Sequence, residues 1–244
     1  MKNVFFFFVI SFLFVACVKD PFATTTTNNS GTPATPNACP NADGALWAVK
    51  SVTKQQSVPN VPAFELTIGI GVGFFTSNGL SSATPTRVSV GDVTANSNTM
   101  DYMGETYITT PSASQATGID WSNGVMWEVT GDNGFPSFTH TPTNNFPTVT
   151  EITSGDVVDK ATGYTLTCNT VTGADSVLFL VGGVHKTLGP TATSCTFTSS
   201  ELSTVDNGTN LVQIVPYTYS SAVFGGKTIC FGKEMVQQLS VTVQ

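Results

Sequence analysis

The chain has 244 residues, nine basic against sixteen acidic, a net charge of −7 and only 10% charged residues. An acidic chain without a Lys/Arg cluster excludes a nucleic-acid partner, because a phosphate backbone needs a basic footprint. Low charge with abundant Thr, Ser, Asn and Gly suits an extracellular β-protein, whose solvent faces carry hydroxyls in place of Lys and Glu.

Met1-Lys2-Asn3 gives a short positive start, and residues 4–16 are almost unbroken apolar sequence. A helix of that length spans roughly 20 Å, short of a hydrocarbon core of roughly 30 Å, so the pattern is that of a secretory signal peptide over residues 1–16. Phe14-Val15-Ala16-Cys17 resembles the lipobox of bacterial lipoproteins. The resemblance implies a diacylglycerol on the Cys17 thiol and cleavage that leaves Cys17 first. Val18-Lys19-Asp20 resembles the start of the surface-export tag of Bacteroidota lipoproteins, which implies an outer-membrane protein held by its lipid and exposed at the cell surface. Removing residues 1–16 takes away Lys2, leaving eight basic against sixteen acidic residues, or −8.

Residues 17–44 read as the lipidated cysteine and a flexible tether in which only Phe22 can anchor a core. As a random coil the tether reaches about 25–30 Å. With Cys17 committed to lipid, Cys39, Cys168, Cys195 and Cys230 remain, an even four that allows three pairings. Sequence does not choose among them, and free buried thiols are a further reading.

From Ala45 the signal is all-β, and the expected architecture is two tandem β-sandwich domains at 45–146 and 147–244. Residues 65–75, ELTIGIGVGFF, put Leu66, Ile68, Ile70, Val72 and Phe74 on one strand face and Gly69, Gly71 and Gly73 on the other. The glycine stripe calls for something that approaches closely: a ring from Trp47, Phe75 or another aromatic, with an open groove for an extended ligand as the lesser reading. It is not a dinucleotide loop, because the glycines lie inside the strand and no helix pattern follows. Asn123-Gly124 between alternating segments predicts a type I′ hairpin with Trp121 opposite Met126 and Asp120 opposite Trp127. Val125, Trp127 and Val129 then share one face and Trp121 with Met126 the other, which puts one tryptophan in the core and the other outside or at a domain contact. Asp132-Asn133-Gly134 marks a turn, Phe135 to Thr141 a last strand, and Pro142 to Pro147 a linker, with the boundary near Phe146.

The last hundred residues have the rhythm of an immunoglobulin-like sandwich, with candidate strands at 149–153, 163–168, 176–181, 195–199, 211–219, 227–231 and 238–243. Cys168 and Cys195 both face inward on strands that can be neighbours, so they form the candidate disulfide. The first domain is a second β-sandwich in this reading.

Chemistry is hard to place. His140 and His185 fall in different domains and no activated-nucleophile motif is present, so each reads as structural. The isolated cysteines do not form a zinc pattern, and Asp156 with Asp159, or Asp132 with Asn133, read as turn formers in place of calcium ligands. Asp175-Ser176-Val177 resembles a Bacteroidota O-glycosylation acceptor, with an ordinary strand-edge serine as the stronger reading. No metal and no cofactor is expected, and the chain is not expected to be an enzyme. The leading expectation is a non-catalytic envelope lipoprotein that touches the membrane through its anchor and presents β-sandwiches for interaction, adhesion or assembly. The alternative is a glycan-binding accessory lipoprotein, similar in layout to surface components of Bacteroidota polysaccharide systems, with Trp121, Tyr102 and Tyr107 as the stacking platform. A hydrolase with paired carboxylates comes third.

Overall fold

The computed structural model describes residue 39 and residues 41–55 and 64–244; Cys17, the leading apolar segment and most of the expected tether lie outside them. The first half carries strands β1 (Gly44–Gln55), β2 (Phe64–Thr76), β3 (Arg87–Val88), β4 (Val93–Ala95), β5 (Asn98–Thr99), β6 (Asp101–Met103), β7 (Thr106–Ile108), β8 (Trp127–Val129) and β9 (Phe138–His140). The second half adds β10 (Thr148–Val149), β11 (Val157–Val158), β12 (Tyr164–Thr167), β13 (Val171–Thr172), β14 (Ser176–Val181), β15 (Val184–Leu188), β16 (Ser194–Phe197), β17 (Gly208–Phe224) and β18 (Lys227–Val243). One helical turn, α1 (Ser199–Leu202), interrupts them. The fold is all-β, as the alternation of residue types indicates.

A ten-stranded sheet organises the molecule, in the order β15-β14-β17-β18-β1-β2-β7-β6, with β11 added to β18 and β3 to β2. Its spine is the β17–β18 hairpin, two 17-residue strands joined at Gly225-Gly226, where both glycines take positive φ. Such a ribbon is roughly 55 Å long. Strand β1 lies parallel to β18 and antiparallel to β2.

Period-two alternation along the spine feeds three cores. On one face, Val212, Ile214, Val241 and Val243 pack under the small sheets β10-β13 and β12-β16 with Leu166, Phe179 and Phe197. Further along the same face, Ile229 and Phe231 pack with Leu46 and Phe75 under the sheet β5-β4-β8-β9, which contributes Val93, Trp127, Val129 and Phe138. On the opposite face, Val215, Tyr217, Cys230 and Val236 join Trp47, Val49 and the apolar face of β2.

The sheet therefore runs through the boundary expected near Phe146. What changes there is the covering layer, while β17 and β18 serve both halves. The segment expected as a linker is bolted to this spine. Lys233, on β18 and buried, donates from Nζ to the carbonyls of Pro142 (3.1 Å) and Asn144 (2.6 Å). Asn144 also donates to Thr218 Oγ1 at 3.5 Å and accepts from Ser220 Oγ at 3.4 Å. Burial, with Lys50 nearby, holds the Lys233 amine below its ordinary pKa, so the carbonyls and the Phe146 ring 5.7 Å away carry its solvation.

Two expected strands, 227–231 and 238–243, are one. The pattern breaks at Lys233, Glu234, Gln237 and Gln238, which suggests a loop, but three of these four polar side chains are buried inside the ladder. Gln213 donates to Gln238, which in turn donates to Thr53, so a hydrogen-bonded chain crosses three strands.

Strand β2 matches its expected span and faces. The glycine stripe admits close neighbours, and the ring that reaches it is that of Trp121. Gly69 donates to Thr117 O and accepts from Ile119 N, each at 2.9 Å, and the Trp121 indole reaches over it to donate to Val49 O at 3.0 Å. That docking overturns the expected hairpin. Thr117 and Ile119 bind to β2 and the Trp121 indole to β1, so residues 119–121 are not available to pair with 125–127. Gly124 takes positive φ while Asn123 does not, and β8 pairs with β4 and β9. Trp121 (3% exposed) is therefore as much a core residue as Trp127 (0%). Val125, Trp127 and Val129 do share a buried face, as expected.

Candidate interaction surface

The three aromatics expected as a stacking platform do not form one. Trp121 is buried against Trp127 and Phe146, with centroids 6.1 and 6.4 Å away. Tyr107 is buried as well; its hydroxyl donates to Gly91 O and accepts from Val90 N, each at 2.7 Å. Only Tyr102 is exposed, at 41%, leaning on Tyr107 at 4.7 Å beside an exposed Met103. Both tyrosines sit on the β6–β7 hairpin as directly opposed partners that share a face.

The cysteines are arranged differently from the expected pair. Cys39 is bonded to Cys230, while Cys168 and Cys195 are free and buried. Both do face inward, and β12 does pair with β16. However, Cys195 stands opposite Leu166, and Cys168 donates its N–H to Thr193 O. The two are diagonal neighbours, about 7 Å apart. A disulfide needs Cβ atoms about 4 Å apart. Burial raises both thiol pKa values, that of Cys195 to about 11, which keeps them protonated and inert.

Each histidine lies at the end of a strand pairing. His140 ends β9 against the Phe231 and Phe224 rings, centroids 4.3 and 5.6 Å away, and burial lowers its pKa. His185 lies on β15 just past the Gly182-Gly183 turn. The Asp residues considered for calcium close turns. Asp159 accepts from Ala161 N and Thr162 Oγ1, and Asp132 accepts from Asn133 N. Among the described residues, no group of three or more His, Cys, Asp or Glu side chains can hold a metal ion. Ser176 is buried, so the Asp175-Ser176-Val177 motif offers no accessible acceptor.

The solvent faces carry hydroxyls. Register places Thr99, Thr94, Glu128 and Thr139 in one row across the β5-β4-β8-β9 sheet, with Thr94 Oγ1 donating to Glu128 at 3.1 Å. Beside this row lies an open hollow of about 370 Å³ lined by Asp92, Thr94, Glu128, Thr130, Ser137 and Thr139. The other covering layer shows exposed hydroxyl pairs at Thr148–Thr172 (2.6 Å), Thr153–Thr167 (2.9 Å) and Thr165–Thr196 (3.0 Å). The expected inward set Val125, Trp127 and Val129 already leaves Glu128 outside, so part of this surface had a sequence signal. The helical turn α1 had one too, since Thr198-Ser199-Ser200-Glu201 is a capping box, and Glu201 also receives Lys186 Nζ at 2.9 Å.

One ionisable group sits where no donor among the described residues reaches it. Glu234 lies on β18 between Val49 and Tyr217, and desolvation raises its pKa from 4.5 to about 7. The native state therefore holds a proton that the unfolded chain releases above pH 4.5. Stability from this group is full below pH 4.5 and declines until about pH 7, by at most about 3 kcal/mol. His140 works in the opposite sense, because its lowered pKa costs stability as pH falls below the ordinary histidine range. Urea unfolding of wild type and Glu234→Gln between pH 4.5 and 8 separates the two, and the difference between the curves is expected to grow with pH.

No family model and no curated protein matches the chain. A solved structure described as "Structural insight into host cell surface retention of a 1.5-MDa bacterial ice-binding adhesin" aligns over 81% of this chain and 65% of that one. Identity is 18% and the TM-score 0.24, so the chain spans under two thirds of that structure and the likeness establishes no shared fold.

Proposed function

We propose that this protein is a non-catalytic lipoprotein of the bacterial cell envelope, anchored through Cys17, that presents a rigid β-scaffold for interaction or adhesion. The Cys39–Cys230 disulfide carries the reading, because such bonds form and persist outside the reducing cytosol, where the signal and lipobox-like sequences would send the chain. The contact surface in this reading is the pair of hydroxyl-bearing covering layers, with the hollow beside Glu128 and the exposed Tyr102 and Met103. Polar faces of low charge favour many weak hydrogen bonds over one deep ligand pocket. The glycan alternative loses two of its three rings to the core and is not carried forward.

The test is expression of wild type and Cys17→Ser in a diderm host, followed by membrane fractionation and mass spectrometry of the mature N-terminus. Wild type is expected in the outer-membrane fraction with a diacylated Cys17, and Cys17→Ser in the soluble fraction. An unlipidated, soluble wild-type protein overturns the proposal.

A further inference from the structure

Asn-Gly occurs four times, at residues 78–79, 123–124, 133–134 and 207–208, and each asparagine is exposed. The pair has a chemistry of its own. The glycine nitrogen can attack the carbonyl carbon of the preceding side chain, because no Cβ crowds the approach. Attack needs a side chain free to swing over its own backbone and a glycine N–H that is not bound elsewhere. The fold separates the four sites on these two requirements.

Two are locked. Asn78 donates from Nδ2 to Ser82 Oγ (3.1 Å) and Thr84 O (3.0 Å) and accepts from Thr86 N at 2.9 Å. Asn133 donates from Nδ2 to Ser89 O at 3.0 Å and to Asp132 Oδ2 at 3.2 Å. Asn207 makes no side-chain hydrogen bond among the described residues, but the amide after it is engaged. Thr242 N and Gln244 N donate to Asp156 O and Val158 O, away from β17, so Val243 between them faces β17 and pairs there with Gly208.

Asn123 meets both requirements. Its side chain has no hydrogen bond among the described residues, and Asp120 takes both donors of the neighbouring Ser122, N at 2.8 Å and Oγ at 2.9 Å. Gly124 N reaches only Trp121 O at 3.3 Å, past the usual upper end of about 3.2 Å. A Cβ on Gly124 would meet nothing within 4 Å, so the tip of the turn is surrounded by open space.

We infer that Asn123 is a self-modification site, where the chain deamidates without an enzyme. Gly124 N gives up its proton and bonds to Asn123 Cγ, and Nδ2 leaves as ammonia with that proton, which closes a succinimide ring. Water then opens the ring at either carbonyl, to aspartate or to isoaspartate, and nothing is oxidised or reduced. Either product adds a negative charge to the turn that already carries Asp120. Isoaspartate also lengthens the backbone between two fixed flanks. On one side the Trp121 indole is held by Val49 O, and on the other Asn96 grips Gly124 O and Met126 N at 2.9 and 2.7 Å. The inference is independent of the anchoring and adhesion proposed above.

Peptide mapping by mass spectrometry, on the purified full chain held in mildly alkaline buffer, tests this. Conversion at Asn123 is expected to run at least about tenfold faster than at Asn78 or Asn133, which must first break three and two hydrogen bonds, and ahead of Asn207. In concentrated urea the four sites are expected to react at similar rates. Native rates at Asn78, Asn133 or Asn207 that equal or exceed that at Asn123 overturn the inference. An order that persists in urea overturns it too, because sequence and not the fold then sets it. Asn123→Gln is expected to remove the first acidic species seen on ion exchange, and its persistence places the reaction elsewhere.

Discussion

Replacing both Cys39 and Cys230 with Ser is expected to lower stability by about 5 kcal/mol, the largest effect of any change considered. The bond joins positions 191 residues apart, so it closes a loop that spans most of the chain. In the chain-entropy view, a loop of that length restrains the unfolded state by about 5 kcal/mol. For a protein of this size the melting temperature then falls by about 10–20 °C. Reductant should lower the wild-type transition by a similar amount and leave the double variant unchanged, because Cys168 and Cys195 are already thiols. A wild-type transition insensitive to reductant contradicts the assigned pairing. The same bond holds residues 39–43 in place, where Asp43 accepts from Lys227 Nζ and Thr228 N, each at 2.9 Å. Losing it should also increase hydrogen exchange at the start of β1.

Gly69→Ala is expected to cost more than about 3 kcal/mol, at the upper end for overpacking. A Cβ at this position would lie 1.8 Å from Ile119 O and 2.9 Å from Trp121 Nε1. The first contact is with backbone that Gly69 itself holds by two hydrogen bonds, so it cannot move aside without breaking them. Gly71→Ala is the internal control. Its Cβ would meet Ala95, Met100 and Thr109 at 3.4–3.5 Å, ordinary contact distances. The change there should stay within about 1 kcal/mol, since alanine also restricts the unfolded chain. Equal losses at both positions, measured by urea unfolding, would mean that the segment at Ile119 does not clamp β2.

Local signals in the sequence suffice where one face meets water and the other a core. Strand β2, the Asp132-Asn133-Gly134 turn and the Val125-Trp127-Val129 face follow from alternation and turn chemistry alone. The errors occur where distant segments meet. Nothing near Asn123-Gly124 shows that Ile119 binds to β2 and the Trp121 indole to β1, so a locally sound hairpin signal puts Trp121 on the face opposite Trp127. Lys233 and Glu234 interrupt the apolar pattern of β18, and their burial depends on Pro142, Asn144 and the opposite strands. The parallel pairing of β1 with β18 joins the two ends of the described chain, which also hides the Cys39–Cys230 bond from any reading of spacing. Cys168 and Cys195 show the limit of face assignment. Alternation turns both inward on strands that do pair, but direct and diagonal neighbours differ by a two-residue shift.

The crosslink at the root of the N-terminal segment also decides where tension enters the body. A chain held at its beginning and dragged by whatever grips its surface would, without that bond, unzip β1 from its neighbours one residue at a time. With Cys39 fastened to Cys230, the pull reaches the long hairpin directly, bypasses β1, and must slide two 17-residue strands lengthwise before anything opens. Under the proposed anchoring through Cys17, the long hairpin is thus the member placed on the line of force.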